Sequence, residues 1–521
     1  MYRLYTEHEW VYPDTEIDWG DSGLALHGAR GGSVCFQWLS EERLSAERPC
    51  TVSLENGGGV RLTVSQLLPA TVDLNSARDR LCTKDYESVA DFVTRKAPFE
   101  VFDVIRPLDG KGLTPGRIAY WVRLDIPEDA PVGEKKITLS IDGEKCEIVL
   151  TVHKAVVPLL KNARFGQINW LHIQYMDRLH GLKRGEPRRD AVLRAYLRHQ
   201  LDLRNTDLQI PSGEPVYDET GKLTGFDFSE AEWVGNTALE MGFLHILGGF
   251  VARFEVWDEP THWLLWDRKT SVATLEGYRQ LKLYFEAAWD CVCRNHWNNV
   301  YIQTLVDEPQ FPNSDHYRVL CSIARKFLPG VTIHDPVEST ELYGGTDIWC
   351  VKQAVYEKYI DTYREIQKLG EPVWLYTCGF PGGYVMNRVM DLPLTVSRLP
   401  FWMCVLYRCA GFLHWGYNAC SDEPFRITCL RPDPENQEVA YPAGNGHIVY
   451  PGEDGPYGSP RAELQRMGAE DAELLYQLID VDPDKADAII RSICRSFSEY
   501  DPAPSALENA RIALLNALDE I

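Results

Sequence analysis

Along the first 155 residues, apolar and polar positions alternate in short runs. "SVCFQWLS", "VRLTVSQL", "IAYWVRLDI", "KKITLSI" and "CEIVLTV" are rich in β-branched and aromatic residues, with Gly, Pro, Asn and Asp between them. Short strands at regular spacing with turn residues predict an antiparallel sandwich. The period changes near "VHKAVVPLLKNAR" (152–164). From there short apolar runs alternate with longer helical patterns such as "RRDAVLRAYLRHQLDLR", "TLEGYRQLKLYFEAAWDCVCRNH" and "SDHYRVLCSIARKFL". Eight candidate strands fall between 164 and 416, with helical segments between most. That is the count of a (β/α)₈ barrel. A Gly/Pro-rich loop, "PAGNGHIVYPGEDGPYGSP", and further helical segments close the chain. The predicted organisation is a β-sandwich over 1–157, a (β/α)₈ barrel over 158–420, and a long loop with C-terminal helices over 421–521. Those helices are expected to pack on the outside of the barrel.

Charge narrows the classes of partner. The formal net charge is −23 and the pI about 5.0, so nucleic acid and anionic membrane are poor partners. The N-terminus, "MYRLYTEHEWVYPD", lacks a basic segment followed by an apolar one, and no apolar run is long enough to span a bilayer. A cytoplasmic location is the expectation. Fourteen cysteines are scattered without framework spacing, which fits free thiols in a reducing compartment. His172, His334 and His414 fall at strand ends without metal-ligand spacing, so hydrogen-bonding roles, no metal and no cofactor are expected.

In a barrel of this kind the chemistry sits at the C-terminal ends of the strands. There the sequence places Asn169, Trp170 and His172 after the first strand, and Asp207 and Gln209 on the second. Asp307 and Glu308 follow the fourth, and His334 and Asp335 end the fifth. Trp349 and Lys352 come from the sixth, and Trp374, Tyr376 and Cys378 from the seventh. His414, Trp415, Tyr417 and Asn418 come from the eighth. Aromatic rings suit the apolar C–H faces of sugars, and carboxylate, amide and imidazole groups suit their hydroxyls. His172, Trp349, Trp374, Tyr376, Trp415, Tyr417 and Asn418 are therefore candidates for binding an oligosaccharide or glycoconjugate.

The sharpest feature is "VYIQTLVDEPQFP" (300–312), an apolar run ending in adjacent carboxylates. Two like charges side by side repel, and burial raises a carboxyl pKa, so one of them can hold a proton and act as a general acid. A two-carboxylate retaining glycosidase needs a second acid across the scissile bond, yet strand seven, "VWLYTCGF", carries none. An adjacent pair suits attack by the substrate's own 2-acetamido oxygen, with Glu308 protonating the leaving oxygen and Asp307 orienting the acetamido N–H. Tyr376 is then placed to donate to the acetamido oxygen. A plainer role for the pair is to cap the next helix, but Asn313, Ser314 and Asp315 lie nearer its start. The residues leave two alternatives open. One is a glycosidase without neighbouring-group help, an inverting one included, with Asp335 as the base. The other is a non-catalytic carbohydrate binder using the sandwich.

Several motifs resemble glycoside hydrolase family 123 and its wider group, domain of unknown function 4091. "VDEP" (306–309) resembles the family's Asp-Glu pair, and "GFLHWGYN" (411–418) its last barrel strand. "GHIVYPGEDGPYGSPRAELQRMGAEDAELL" (446–475) is similar to the family's segment after the barrel, and "GKGLTPGRIAYWVRLDIPEDAPVGEKKITLSIDG" to its N-terminal sandwich. Pro460 inside "SPRAEL", and Tyr120 with Trp121 in "AYWVRL", depart from the commoner pattern. The resemblance implies a sandwich, a barrel and a C-terminal extension. It also implies a retaining β-N-acetylgalactosaminidase with Glu308 as acid/base and Asp307 orienting the acetamido group.

Overall fold

The computed structural model describes residues 1–17, 23–77, 82–83, 92–108, 110–431 and 440–521. Residues 432–439, within the long loop, lie outside that set.

Two β-sheets form the N-terminal unit. The five-stranded sheet runs in the order Tyr2–Thr6, Ser33–Leu44, Gly116–Asp125, Arg61–Val72, Phe99–Pro107. The four-stranded sheet is Leu24–Arg30, Glu144–Val156, Gly133–Ile141, Val52–Glu55. Every pairing is antiparallel except that of Leu24–Arg30 with Glu144–Val156, which is parallel. Phe36, Trp38, Val122, Leu124, Leu139 and Leu150 fill the space between the sheets. "SVCFQWLS" is apolar on both faces because both are covered: Cys35 and Leu39 pack the other way, on Leu464 and Met467.

The second unit is an eight-stranded parallel barrel. Its strands in chain order are Gly166–Asn169, Asp207–Gln209, His245–Gly248, Tyr301–Gln303, Thr332–Val337, Ile348–Lys352, Val373–Thr377 and Gly411–His414. Spatial neighbours follow this order, with the eighth beside the first. Strands one and two nearly close the ring: Thr206 N donates to Gln167 O at 2.9 Å, and Gln167 N to Thr206 Oγ1 at 3.0 Å. Among the described residues, no helix is long and apolar enough to cross a membrane.

The helix Pro460–Ile479 packs on the barrel's outer helix Leu399–Leu406 and is covered on its other side by the sandwich, with 18 of its 20 residues buried. Its charges are therefore ion-paired or, for Glu473, hydrogen-bonded to backbone. Arg461 meets Asp103 of the sandwich at 2.6 Å, and Asp471 meets Arg398 at 2.6 Å. Glu473 accepts from the backbone N–H groups of Arg164 and Phe165, where the barrel begins. Ser459 caps its first turn, accepting from Ala462 N at 3.1 Å.

The barrel floor is apolar and tight. Trp374 lies against Gly166 and Gly411, where any Cβ would collide with its ring. His334 meets that ring edge-on at 4.8 Å and finds no hydrogen-bond partner among the described residues. Burial, with a smaller contribution from His245, pushes the His334 pKa down to about 3. A histidine depressed below its unfolded value of about 6.5 contributes stability above that pH. That stability drains away as the pH falls from 6.5 toward 3, at about 1.4 kcal/mol per unit. Between pH 7 and pH 5, wild type should lose roughly 2 kcal/mol more than His334→Leu, read from urea midpoints at each pH. Equal losses would show that the native imidazole takes up protons freely.

Candidate active site

Strand four stops at Gln303, and the chain continues through Thr304 and Leu305 to Asp307 and Glu308. This segment is fixed from below and from the side. Asp335, on strand five, accepts from Leu305 N at 2.7 Å and Val306 N at 3.3 Å, and from the Tyr317 hydroxyl at 2.7 Å. Glu308 N donates to Pro336 O and Glu338 N to Pro309 O, both at 3.0 Å. Asp335 is fully buried, and burial pushes its carboxyl up to about 7. It does not line the cavity that holds Asp307 and Glu308 and is spent on three hydrogen bonds, so a water-activating role is corrected to a structural one.

Successive side chains of an extended segment point to opposite faces. Here Asp307 and Glu308 both line one cavity, of about 960 Å³. The backbone explains this: Glu308 has φ +53°, in the left-handed region. For a residue with a side chain such a conformation costs on the order of 1–3 kcal/mol and is found where function needs it.

Glu308 Oε1 gathers three neighbours. The Tyr376 hydroxyl donates to it at 2.6 Å, Lys352 Nζ lies at 3.3 Å, and Cys378 Sγ at 4.0 Å. Asp307 receives no hydrogen bond from any described residue and opens to the cavity. The cavity walls still strip much of its hydration. That desolvation, with the Glu308 carboxylate beside it, holds the Asp307 carboxyl well above the usual range. Asp307 and Glu308 are the cavity's two carboxylates among the described residues. No three His, Cys, Asp or Glu side chains converge in metal-binding geometry among those residues.

The other walls are mostly aromatic. Trp170, His172, Phe250, Tyr376, Trp415 and Tyr441 surround the floor, and Trp257 and Phe380 stand at the mouth, about half exposed. His172 donates from Nε2 to Trp415 O at 2.8 Å, which fixes its tautomer, and burial lowers its pKa. Trp415 Nε1 donates to Asn445 Oδ1 at 3.1 Å.

Of the candidate sugar-binding residues, the cavity brings together His172, Tyr376 and Trp415, and not the other four. Trp349 faces out of the barrel, between Tyr343 and Tyr363, with its indole N–H on Glu371. Trp374 belongs to the barrel floor, beneath the cavity. Tyr417 is buried under the helix Pro187–Asp202, bonded to His199 Nδ1 at 2.9 Å. Asn418 lies behind the wall and clamps the His172 backbone, accepting its N–H at 2.9 Å and donating to its carbonyl at 3.0 Å. His414 and Asn169 are likewise behind the wall, both bonded to the buried Arg388. Tyr376 is committed to Glu308 rather than left free for an acetamido oxygen. Missed from the sequence were Phe250, Trp257, Phe380 and Tyr441, all on loops, and Glu338, which shares Lys352 with Glu308.

The model of the glycoside hydrolase 123 catalytic domain matches residues 217–478, half of the chain. A family 123 glycoside hydrolase from Clostridium perfringens, described in connection with glycolipid glycan hydrolysis, has a similar structure. It has a TM-score of 0.73 at 12% identity, over 100% of this chain and 97% of that one. A GH10 xylanase with a bacterial Ig-like domain, from termite gut, is far less similar (TM-score 0.38, 11% identity, 86% of this chain and 99% of that one). No curated protein sequence matches. This chain, with its sandwich, its barrel and its carboxylate-bearing cavity, belongs to glycoside hydrolase family 123 and is a glycosidase.

Proposed function

We propose that the enzyme removes a terminal β-linked 2-acetamido sugar, N-acetylgalactosamine in the first instance, with retention through an oxazolinium intermediate. One observation carries this reading. The cavity's two carboxylates are adjacent in sequence, and the wall contributed by strand seven offers Tyr376 and Cys378 where a two-carboxylate enzyme needs a nucleophile. Glu308, backed by Lys352 and Tyr376, is the general acid. Asp307, to which no described residue donates, is the acceptor for the acetamido N–H. In the first step the glycosidic C1–O bond breaks as the acetamido oxygen bonds to C1, and the Glu308 proton goes to the leaving oxygen. In the second, Glu308 takes a proton from water, which opens the oxazolinium from the face the leaving group left.

The test is hydrolysis of two matched aryl β-glycosides, an N-acetylgalactosaminide and a galactoside, with the product anomer read by NMR. Cleavage of the first alone, giving the β-anomer first, is expected. Equal cleavage of the galactoside would overturn neighbouring-group participation.

Lys352 supports a reading of the leaving-group side. Its Nζ is 3.3 Å from Glu308 and 5.8 Å from the centre of the Trp257 ring. Trp257 therefore borders the side on which the acid works, and a sugar leaving group would stack there. Trp257→Ala should raise KM for a disaccharide substrate roughly three- to tenfold, the weight of about 1 kcal/mol of stacking. The effect on a methyl glycoside should be smaller. Equal effects on both would place the leaving group elsewhere.

A further inference from the structure

Behind Glu308 stands a charged group that lines no part of the cavity. Glu338 follows the last residue of strand five, and its carboxylate is ion-paired to Lys352 Nζ. Lys352 also reaches Glu308, so one ammonium is shared by two carboxyl groups. All three side chains are 16% exposed or less. The arrangement is built rather than incidental. The Glu308 N–H to Pro336 and Glu338 N–H to Pro309 hydrogen bonds zip the two chain segments together and fix the two acids beside each other.

We infer that Glu338 and Lys352 are positioning residues that set the proton on Glu308. Glu338 neutralises Lys352 while Glu308 holds its proton, and Lys352 steadies the Glu308 carboxylate once that proton has gone to the leaving oxygen. This rests on Glu308 being the general acid. The need is physical. A lone ammonium 3.3 Å from Glu308 would pull its proton off, leaving the acid spent before substrate arrives. A site with no ammonium would hold the proton but penalise its release. With both partners present the three groups are together neutral while Glu308 holds its proton, and its donation leaves one ammonium between two carboxylates, a single negative charge that arises as positive charge develops on the sugar. Burial, then the Glu308 carboxylate beside it, pushes Glu338 up to about 7, against the pull of Lys352.

Other groups also face Glu308. Asp307 comes from its own segment, Tyr376 and Cys378 from strand seven, and Tyr441 from the loop above. Of these, only Asp307 is a carboxyl, and burial and the Glu308 carboxylate beside it hold its own pKa well above the usual range. Lys352 is thus the cation that Glu338 must balance.

The experiment is the pH profile of kcat/KM on the 2-acetamido aryl glycoside for wild type, Glu338→Gln, Lys352→Met and the double variant. Circular dichroism and thermal melting would confirm that each is folded. Glu338→Gln should move the alkaline limb, where the acid loses its proton, down by about 1–2 pH units. Lys352→Met should move it up and lower kcat at the optimum. The double variant should return the limb toward wild type. A role in packing alone would reduce activity at every pH and leave the limb in place, and that result would overturn the inference. A second readout separates this from the functional proposal. Carbon-13 NMR of labelled glutamate carboxyls, assigned with Glu308→Gln, follows the Glu308 titration without substrate. The same downward shift in Glu338→Gln is expected even if the substrate has been misjudged, and its absence would overturn the pairing by itself.

Discussion

Glu308→Gln should lose about 10²–10⁴-fold in turnover of a 2-acetamido glycoside with a poor leaving group, the usual worth of a positioned proton donor. The loss should shrink as the leaving group becomes more acidic, because a phenolate that leaves readily needs little protonation. Asp307→Asn should behave differently. In the proposed mechanism its carboxylate orients the acetamido group and faces the positive charge of the ring that forms, so its removal should slow good and poor leaving groups alike. The two variants therefore separate the roles by the slope of rate against leaving-group acidity: steep for Glu308→Gln, unchanged for Asp307→Asn. Both substitutions are nearly isosteric, and the left-handed backbone at residue 308 is kept. A variant as active as wild type, or a pair with the same slope, would defeat the assignment. Glu308→Asp adds a geometric check. It keeps an acid but withdraws it by one methylene from Tyr376 and Lys352, and it should recover only a small part of the lost rate.

The barrel and the acid pair were legible for one reason: an apolar run that stops abruptly marks the end of a buried strand, and the residues just past that end face the mouth. Direction was not legible. A one-residue change in register sends a side chain to the other face of a strand, and Trp349 shows it, lying outside the barrel while Lys352 reaches the cavity. Depth was hidden too. Trp374 is drawn to the floor by the two glycines opposite it, a relation between residues far apart in sequence. Glu338 escaped notice because proline is unexpected inside a central strand. Strand five nevertheless runs through Pro336 to Val337, and that proline's carbonyl holds Glu308 N. The helix Ser229–Met241 also went unread, with Gly235 breaking its pattern. That glycine is there because the Trp297 ring packs directly on it. The rims of the cavity sit on loops, where no periodicity points inward.

The same gap between pattern and packing governs the sandwich, and Asp471 tests it. The outer face of the five-stranded sheet is covered by the helix Pro460–Ile479, so that face is a brace and not a glycan platform. From this helix Arg461 binds Asp103 of the sandwich and donates to the carbonyls of Gly444 and His447. Between those two lies Asn445, which holds the Trp415 indole at the cavity wall. One turn of helix thus connects the sandwich to the site. Further along, Asp471 collects Arg398 Nε at 2.6 Å, Trp402 Nε1 at 2.9 Å and Arg511 Nε at 3.2 Å, with no exposure of its own or of Arg398. Asp471→Ala strands a buried guanidinium, whose remaining carboxylate is Glu7 at 3.7 Å. Removing one partner of such a pair costs about 3–5 kcal/mol, and urea unfolding should show a loss of that size. The partner experiment decides whether charge or volume is responsible. Arg398→Met with Asp471→Leu removes this pair and keeps the bulk, and it should regain part of the loss, because an apolar pair of similar volume replaces a buried ion pair at little cost, while Arg511 and the Trp402 N–H still lack their carboxylate. A single variant losing less than about 1 kcal/mol would mean that water reaches Arg398, and the helix would then be a cover on the barrel rather than the strut between its two units.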